Sequence, residues 1–501
     1  MTSKSLTNEA IDNLGWQATV MGANLLLKAV VLILLARSMP PVEFGLIAAS
    51  TVVISLAADF SQMGVHRALI QRLTLDRAHI GAAGSISLLT GMLAAAALYW
   101  AAPWLADLLG IVETRPLIEF LALTLVLTGI SEVSASLLQR ERRFRDLGLI
   151  DLGSYFFGFA CVALPLAGLD YGAWALAIGQ MAQVISRLAA LFLVRMPVVS
   201  LVPNWKESKD LLIPGAGFSA GQVGNYLATQ ADYFIVGRLL GAEALGFYSR
   251  AYQFFMLPAQ MFGKVTATVL FPTFSSIQDQ RDRIARAYLF ALGATAIITL
   301  PVSAVLVILA PETISFLLGD AWEGMILPFQ VLVVTLMFRT SYKLSDAVVL
   351  ATGSMFQRAQ TQFLYAAAVA GGALAGIQFG LPGVAAGVGL AVLLNYAMTL
   401  WLARRNTGLS WKAVLTSQFR QLPGAFLIAI PVWVAVEVGR QYGMADFAIL
   451  IVGGLTGTMA AMIAWTRLRP IYGSDGASLY ALVLAKLSRI RRPTATSSSG
   501  N

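Results

Sequence analysis

Long apolar runs broken by short polar segments set the rhythm of this chain. The runs cover roughly 16–36, 42–64, 79–101, 117–138, 147–169 and 172–194. After the polar break Pro203–Asp210 they resume at roughly 211–236, 244–270, 284–310, 325–351, 360–380, 383–403, 421–440 and 446–466. Each is close to the ~20 residues that a helix needs to cross a hydrocarbon core, and about twice the length of a β-barrel strand. The pattern predicts an all-α polytopic membrane protein with about fourteen transmembrane helices. Prolines inside the runs (Pro165, Pro214, Pro258, Pro301, Pro328, Pro431) are compatible with this, because neighbouring membrane helices re-satisfy the carbonyls they free.

The distribution of Lys and Arg orients the chain. If the N-terminus lies inside, the inner segments carry 25 of the 35 basic residues, and the outer loops carry only Arg37, Arg115, Arg238 and Arg440. A bias that alternates at every loop supports both the number of spans and cytoplasmic termini. The same rule explains the net charge of +9 as inner-loop charge, so no nucleic-acid partner is expected. The first apolar run is long enough to span and lacks a cleavage motif, so no removable signal is expected.

Leu35–Ile47 (LARSMPPVEFGLI) and Val236–Tyr248 (VGRLLGAEALGFY) read as two copies of one motif, with Arg37 and Gly45 aligned to Arg238 and Gly246 at an offset of 201. The offset lays the first six spans over the next six in the same orientation. Parallel repeats of this kind have a pseudo-two-fold axis along the membrane normal and a cavity between the halves. The expected organisation is an interfacial amphipathic segment (1–15), an N-lobe (16–200), a C-lobe (201–405), two appended helices (406–466) and a basic tail (467–501). The tail carries SRIRRP, suited to anionic membrane lipid.

Composition narrows the function. The chain is 57% hydrophobic and 12% charged, with a mean hydropathy of +0.73. One cysteine (Cys161) excludes an internal disulfide, and two histidines (His66, His79) are too few for a metal cluster. No phosphate-cradling glycine motif or soluble nucleotide domain appears, and no cofactor is expected. The outer loops are too short to hold the catalytic residues of a polymerase or glycosyltransferase, so an enzyme is not expected.

Charge within the runs is the informative signal, since each central cation costs about 2.5–3.5 kcal/mol to insert. Six fall there: Lys28, Arg187, Arg250, Lys264, Arg339 and Lys343. Arg187, Arg250 and Lys264 lie about seven residues from a span end and can snorkel. Lys28, Arg339 and Lys343 lie deeper and favour a cavity; pairing with Glu132, Asp151, Asp346 or Glu437 is the alternative. Buried positive charge suits an anionic substrate, and phosphate or pyrophosphate oxygens fit Arg and Lys best. For ion coupling the candidates are Asp232, with Thr229 one turn before it and Asn395 available from the twelfth span, and Glu132. The choice between H⁺ and Na⁺ stays open.

The lead, then LLARSMPPVEFGLIAASTVVISLAADFSQMGVHRALIQR, resembles the opening of Wzx-type oligosaccharide flippases. QADYFIVGRLLGAEALGFYSRAYQFFMLP is similar to that family's second lobe. The likeness spans about residues 10–465 and places the chain in the polysaccharide branch of the multidrug/oligosaccharidyl-lipid/polysaccharide superfamily. It implies two six-helix lobes around a cationic cavity. Alternating access there moves an undecaprenyl-pyrophosphate-linked oligosaccharide from the inner to the outer leaflet of the bacterial cytoplasmic (inner) membrane. A polysaccharide polymerase and export machinery are the implied partners. By resemblance to the lipid II branch, Lys28, Arg250 and Lys264 occupy helices whose basic residues serve the pyrophosphate, and Asp232 matches a Na⁺-binding acid. A second acid on spans 11–12 is missing. The competing readings are a multidrug–cation antiporter of the same fold and a membrane polymerase or ligase.

Overall fold

The computed structural model describes residues 3–62, 64–72, 75–196, 205–266 and 270–467. The basic tail beyond Arg467 lies outside them, as do the side chains of residues 3–19, of 205–225 and of Lys264. Among the described residues the chain is helical with no strand. Among the described residues nine helices are long and apolar enough to cross a membrane, and a tenth counts if the bent pair Asp320–Val334 and Leu336–Ala351 forms one span. One of the nine, Met355–Thr407, is 53 residues long and holds two expected spans. The remaining expected spans fall on the first helix and on the two arms of a 61-residue helix. The polytopic all-α architecture holds, and fourteen spans are consistent with it.

Chain contacts divide the molecule into two compact units. The first is Met1–Arg250 with Leu317–Met325 and Val369–Val384. It contains α1 (Ser3–Ser38), α2 (Pro41–Gln62), α3 (Val65–Gln71), α4 (Arg77–Leu109), α5 (Thr114–Arg140), α6 (Phe144–Gly168), α7 (Ala173–Val194) and most of α8 (Trp205–Val265). The expected interfacial segment has no break after it: α1 runs from Ser3 straight through the first span.

Small residues bring α4 and α5 together. A methyl group at Gly91 would stand 2.9 Å from the Leu125 carbonyl oxygen, and one at Gly129 2.7 Å from that of Ser87. Such close backbone approach replaces the hydrophobic drive that a bilayer does not supply. Leu117, Ile118, Leu121 and Leu125 of α5 are fully buried at the centre of this unit. The short α3 packs through Val65 and Leu69 against Ala82, Ala83 and Val133. Arg140 donates to the Leu69 and Ile70 carbonyls at 3.0 and 3.3 Å, closing the exposed end of α3.

The two copies of the sequence motif meet inside the first unit. In the second copy the turn is made at Gly241, whose φ of 87° only glycine adopts readily, and it splits α8 into two arms. A side chain at Gly45 would collide with the Ala242 carbonyl, and one at Gly246 with the Pro41 carbonyl. Pro41 and Ala242 are themselves 201 residues apart, so the contact is reciprocal under the sequence repeat. The arginines follow suit. Arg37 donates to the Leu317 carbonyl at 3.0 Å, and Arg238 to the Asp107 carbonyl at 2.8 Å. Trp322 donates to the Ala36 carbonyl at 2.9 Å and meets Phe44 and Phe247 edge-on.

The second unit takes Ala251–Phe316, Ile326–Ala368 and Ala385–Asn501. It holds α9 (Phe271–Ser276), α10 (Arg281–Ile308), most of α11 (Ala310–Leu318), α12 (Ile326–Val334) and α13 (Leu336–Ala351). Parts of α14 (Met355–Gly376) and α15 (Gly380–Thr407) follow, then α16 (Trp411–Phe419), α17 (Leu422–Gln441) and α18 (Asp446–Arg467). Its core gathers Tyr288, Leu292, Val348, Ala403 and Val414. Polar groups in that core are satisfied in pairs: Tyr288 with Ser345 at 2.7 Å, and Tyr396 to Gln418 to Ser341 at 2.5 and 2.9 Å. Arg440 grips Glu312 with two bonds of 2.6 and 3.1 Å.

Candidate functional site

In the first unit two of the expected cations converge on one tyrosine. Lys28, on an exposed face of α1, places its Nζ 5.3 Å from the centre of the Tyr155 ring. Tyr155 and Tyr233 stand within electrostatic reach of Arg250 on the second arm of α8. The Arg250 guanidinium lies 4.7 Å over the Phe44 ring. Tyr155 immediately precedes a π-helical segment, Phe156–Ala163, that widens α6 where these groups gather. An aromatic face attracts a cation by about 0.5–1 kcal/mol when exposed and about 2 when dry, so rings hold these charges without neutralising them.

Arg187, a candidate for the cavity or for snorkelling, is instead neutralised by two of the acids that the sequence offers as alternative partners. Its Nε donates to Asp151 Oδ1 at 2.8 Å, and its Nη1 to Glu132 Oε1 at 2.8 Å and to Ser131 at 3.2 Å. The bridge ties α5, α6 and α7, and it engages Glu132, which was expected to couple an ion. The spacing of 36 and 55 residues kept these partners apart in the sequence.

Asp232 is buried at 1% exposure on the first arm of α8. The Tyr248 hydroxyl donates to its Oδ2 at 2.7 Å across the Gly241 turn. Oδ1 accepts from the Tyr233 amide at 3.0 Å. Thr229 gives its proton to the Tyr226 carbonyl at 3.1 Å. Asn395 is buried in the second unit, with its side-chain oxygen lacking a hydrogen-bond partner among the described residues.

In the second unit Arg339 is 4% exposed and sits among tyrosines. Its Nη1 donates to the Tyr365 hydroxyl at 3.0 Å, and its guanidinium lies 5.2 and 6.0 Å from the Tyr342 and Tyr365 rings. Tyr252 lies within electrostatic reach. Among the described residues no carboxylate pairs with it, and its Nε has no hydrogen-bond partner. Lys343 shares the face one turn on, with Nζ 4.7 Å from the Tyr342 ring, and opens on a cavity of about 430 Å³ with Gln260, Thr266 and Asp346 on its wall. The acid there is engaged: Arg358 holds Asp346 at 2.5 and 3.1 Å. The expected sharing of one face by Arg339 and Lys343 therefore stands. Lys264 belongs to the same stretch of α8, but its side chain lies outside the described residues.

Sequence reasoning missed the aromatic half of both clusters. Tyr342, three residues beyond Arg339 on its helix, carried a readable spacing. Tyr155, Tyr248 and Tyr365 carried none, because each reaches its partner across helices.

A family model described as polysaccharide biosynthesis protein matches residues 34–327. The chain is 26% identical to the lipopolysaccharide biosynthesis protein WzxC of Escherichia coli, covering 83% of this chain and 84% of that protein. It is 28% identical to the succinoglycan biosynthesis transport protein ExoT of Rhizobium meliloti, over 62% of this chain and 63% of that one. Among solved structures it is similar to the lipid II flippase MurJ in an inward closed conformation. That likeness has a TM-score of 0.71 over 94% of this chain and 100% of the other at 13% identity, and it speaks to the fold.

Proposed function

The chain belongs to the polysaccharide biosynthesis protein family, and from that membership we propose that it is a flippase for lipid-linked oligosaccharide. In this reading it carries undecaprenyl-pyrophosphate-linked repeat units from the inner to the outer leaflet of a bacterial inner membrane. It works by alternating access through a cationic cavity, with both termini cytoplasmic, and it hands its cargo to a polymerase and export machinery. It forms and breaks no covalent bond.

One observation carries the reading: among the described residues the buried guanidinium of Arg339 is ringed by tyrosines and not by acids. A cation removed from water costs several kcal/mol unless something negative answers it. Tyrosine hydroxyls and ring faces supply only part of that answer, and the orphaned Nε leaves a donor for an arriving anion. A diphosphate has the charge and the oxygens to complete the site, and Lys343 one turn away supplies a second contact. The similarity to a succinoglycan biosynthesis transport protein supports a transport role in polysaccharide assembly.

The test is transport in proteoliposomes of a diphosphate-linked oligosaccharide lipid bearing a fluorophore on the sugar. Flipping is expected in the native protein and lost in Arg339→Ala and Lys28→Ala, with expression normal in both. Unchanged flipping in both variants removes the reading. Binding of a cationic dye with no binding of the diphosphate lipid replaces it with cation antiport.

A further inference from the structure

The Arg187 cluster has an unbalanced charge count. Two carboxylates, Glu132 and Asp151, meet one guanidinium, which leaves one negative charge. Val65 of α3 clusters with Val133, the residue after Glu132, and its neighbour His66 is 8% exposed with neither ring nitrogen hydrogen-bonded among the described residues. Buried imidazoles ordinarily satisfy at least one nitrogen, so an orphaned pair calls for a reason. Glu132 and Arg187 are the charged groups that act on it. Burial holds the imidazole below its ordinary value, with Glu132 drawing it up and Arg187 pressing it down.

Among the described side chains, the neighbouring charged groups are engaged elsewhere. On α5, Arg140 is engaged by the carbonyls at the end of α3. On α4, the buried His79 stands 3.9 Å from Asp76. On α1, Lys28 lies over Tyr155, one turn beyond Asp151. A single proton would bring the cluster to neutrality, and the side chains needed to carry it are already there.

We propose that His66 takes up the one proton that balances the Glu132–Arg187–Asp151 cluster, and that this uptake loosens the junction of α5, α6 and α7. The chemistry is simple. A proton on His66 places a second cation beside the acids that Arg187 holds and competes with the guanidinium for them. The hold of Arg187 on Glu132 weakens accordingly. The link to transport rests on the flippase reading, while the proton site itself does not.

The chain has only two histidines, so the site can be read directly. The protein is labelled in its histidine rings, placed in lipid nanodiscs and titrated by NMR from pH 5 to 9, with His66→Gln assigning the signal by its loss. The His66 signal is expected to titrate. Its midpoint should fall in Glu132→Gln and by less in Asp151→Asn, as expected when a neighbouring anion is removed. A midpoint unmoved by both variants overturns the proposal, as does the absence of titration in the native protein. In the flipping assay His66→Gln should flatten the pH profile while binding of the diphosphate lipid persists. An altered His66 midpoint with no transport of any diphosphate lipid would sink the cargo assignment and leave the proton site standing.

Discussion

Arg187 and Arg339 make opposite use of the same side chain. Each is a guanidinium within a long apolar helix, and each is held by hydrogen bonds from neighbouring helices. Arg187 in the first unit is answered by two carboxylates, so it fastens three helices together and has little left to offer a ligand. Arg339 in the second unit is answered by a hydroxyl and two rings, so its charge survives. The difference teaches that a buried cation is informative through its partners and not through its burial. Both residues stand out in the sequence as cations in apolar runs; the company they keep separates a clasp from a receptor.

The contrast can be broken by experiment. The largest effect is expected from Arg339→Leu. Flipping should vanish while the melting temperature in detergent stays level or rises, because removing a charge without an acid partner relieves its desolvation. A marked fall in stability with Arg339→Leu would make that residue a second clasp and erase the distinction. Arg187→Leu should do the reverse. It strands two part-exposed carboxylates and should cost about 1–3 kcal/mol of stability, discounted from the buried limit for solvent screening and read as a lower melting temperature. Adding Glu132→Gln to that variant should recover part of the loss. Next comes Gly246→Leu, in which a side chain is driven into the Pro41 carbonyl; overpacking of this kind costs about 1–3 kcal/mol. Gly45→Leu should behave alike, and unequal losses would count against the reciprocity of the contact. The smallest effect is reserved for Tyr365→Phe. It removes the hydroxyl that accepts one hydrogen bond from Arg339 while leaving the ring in place, and should weaken diphosphate-lipid binding several-fold without changing expression.

The run lengths and the alternation of Lys and Arg made the helical architecture legible, because a bilayer imposes a length and a charge rule on every span. The repeat was legible from Arg37, Gly45 and their echoes, since close backbone approach tolerates only glycine at those places. Arg339 and Lys343 were legible as a shared face through their spacing of four. What escaped was pairing across helices. Asp151 reaches Arg187 over 36 residues and Tyr248 reaches Asp232 around the Gly241 turn, and helical periodicity carries no signal for either. His66 escaped for another reason: a lone histidine among apolar neighbours looks like core until its nitrogens are seen to lack partners.

The two glycine contacts have a consequence for how this end of the first unit can change. Gly45 abuts a carbonyl of the second motif and Gly246 abuts the equivalent carbonyl of the first, which is the isologous arrangement found where identical subunits pair about a two-fold axis. Here both partners lie on one polypeptide, so the junction acts as an internal dimer interface that dilution cannot dissociate. A lengthened turn in either copy would have to be matched by its twin, and the pair is bound to drift together or not at all.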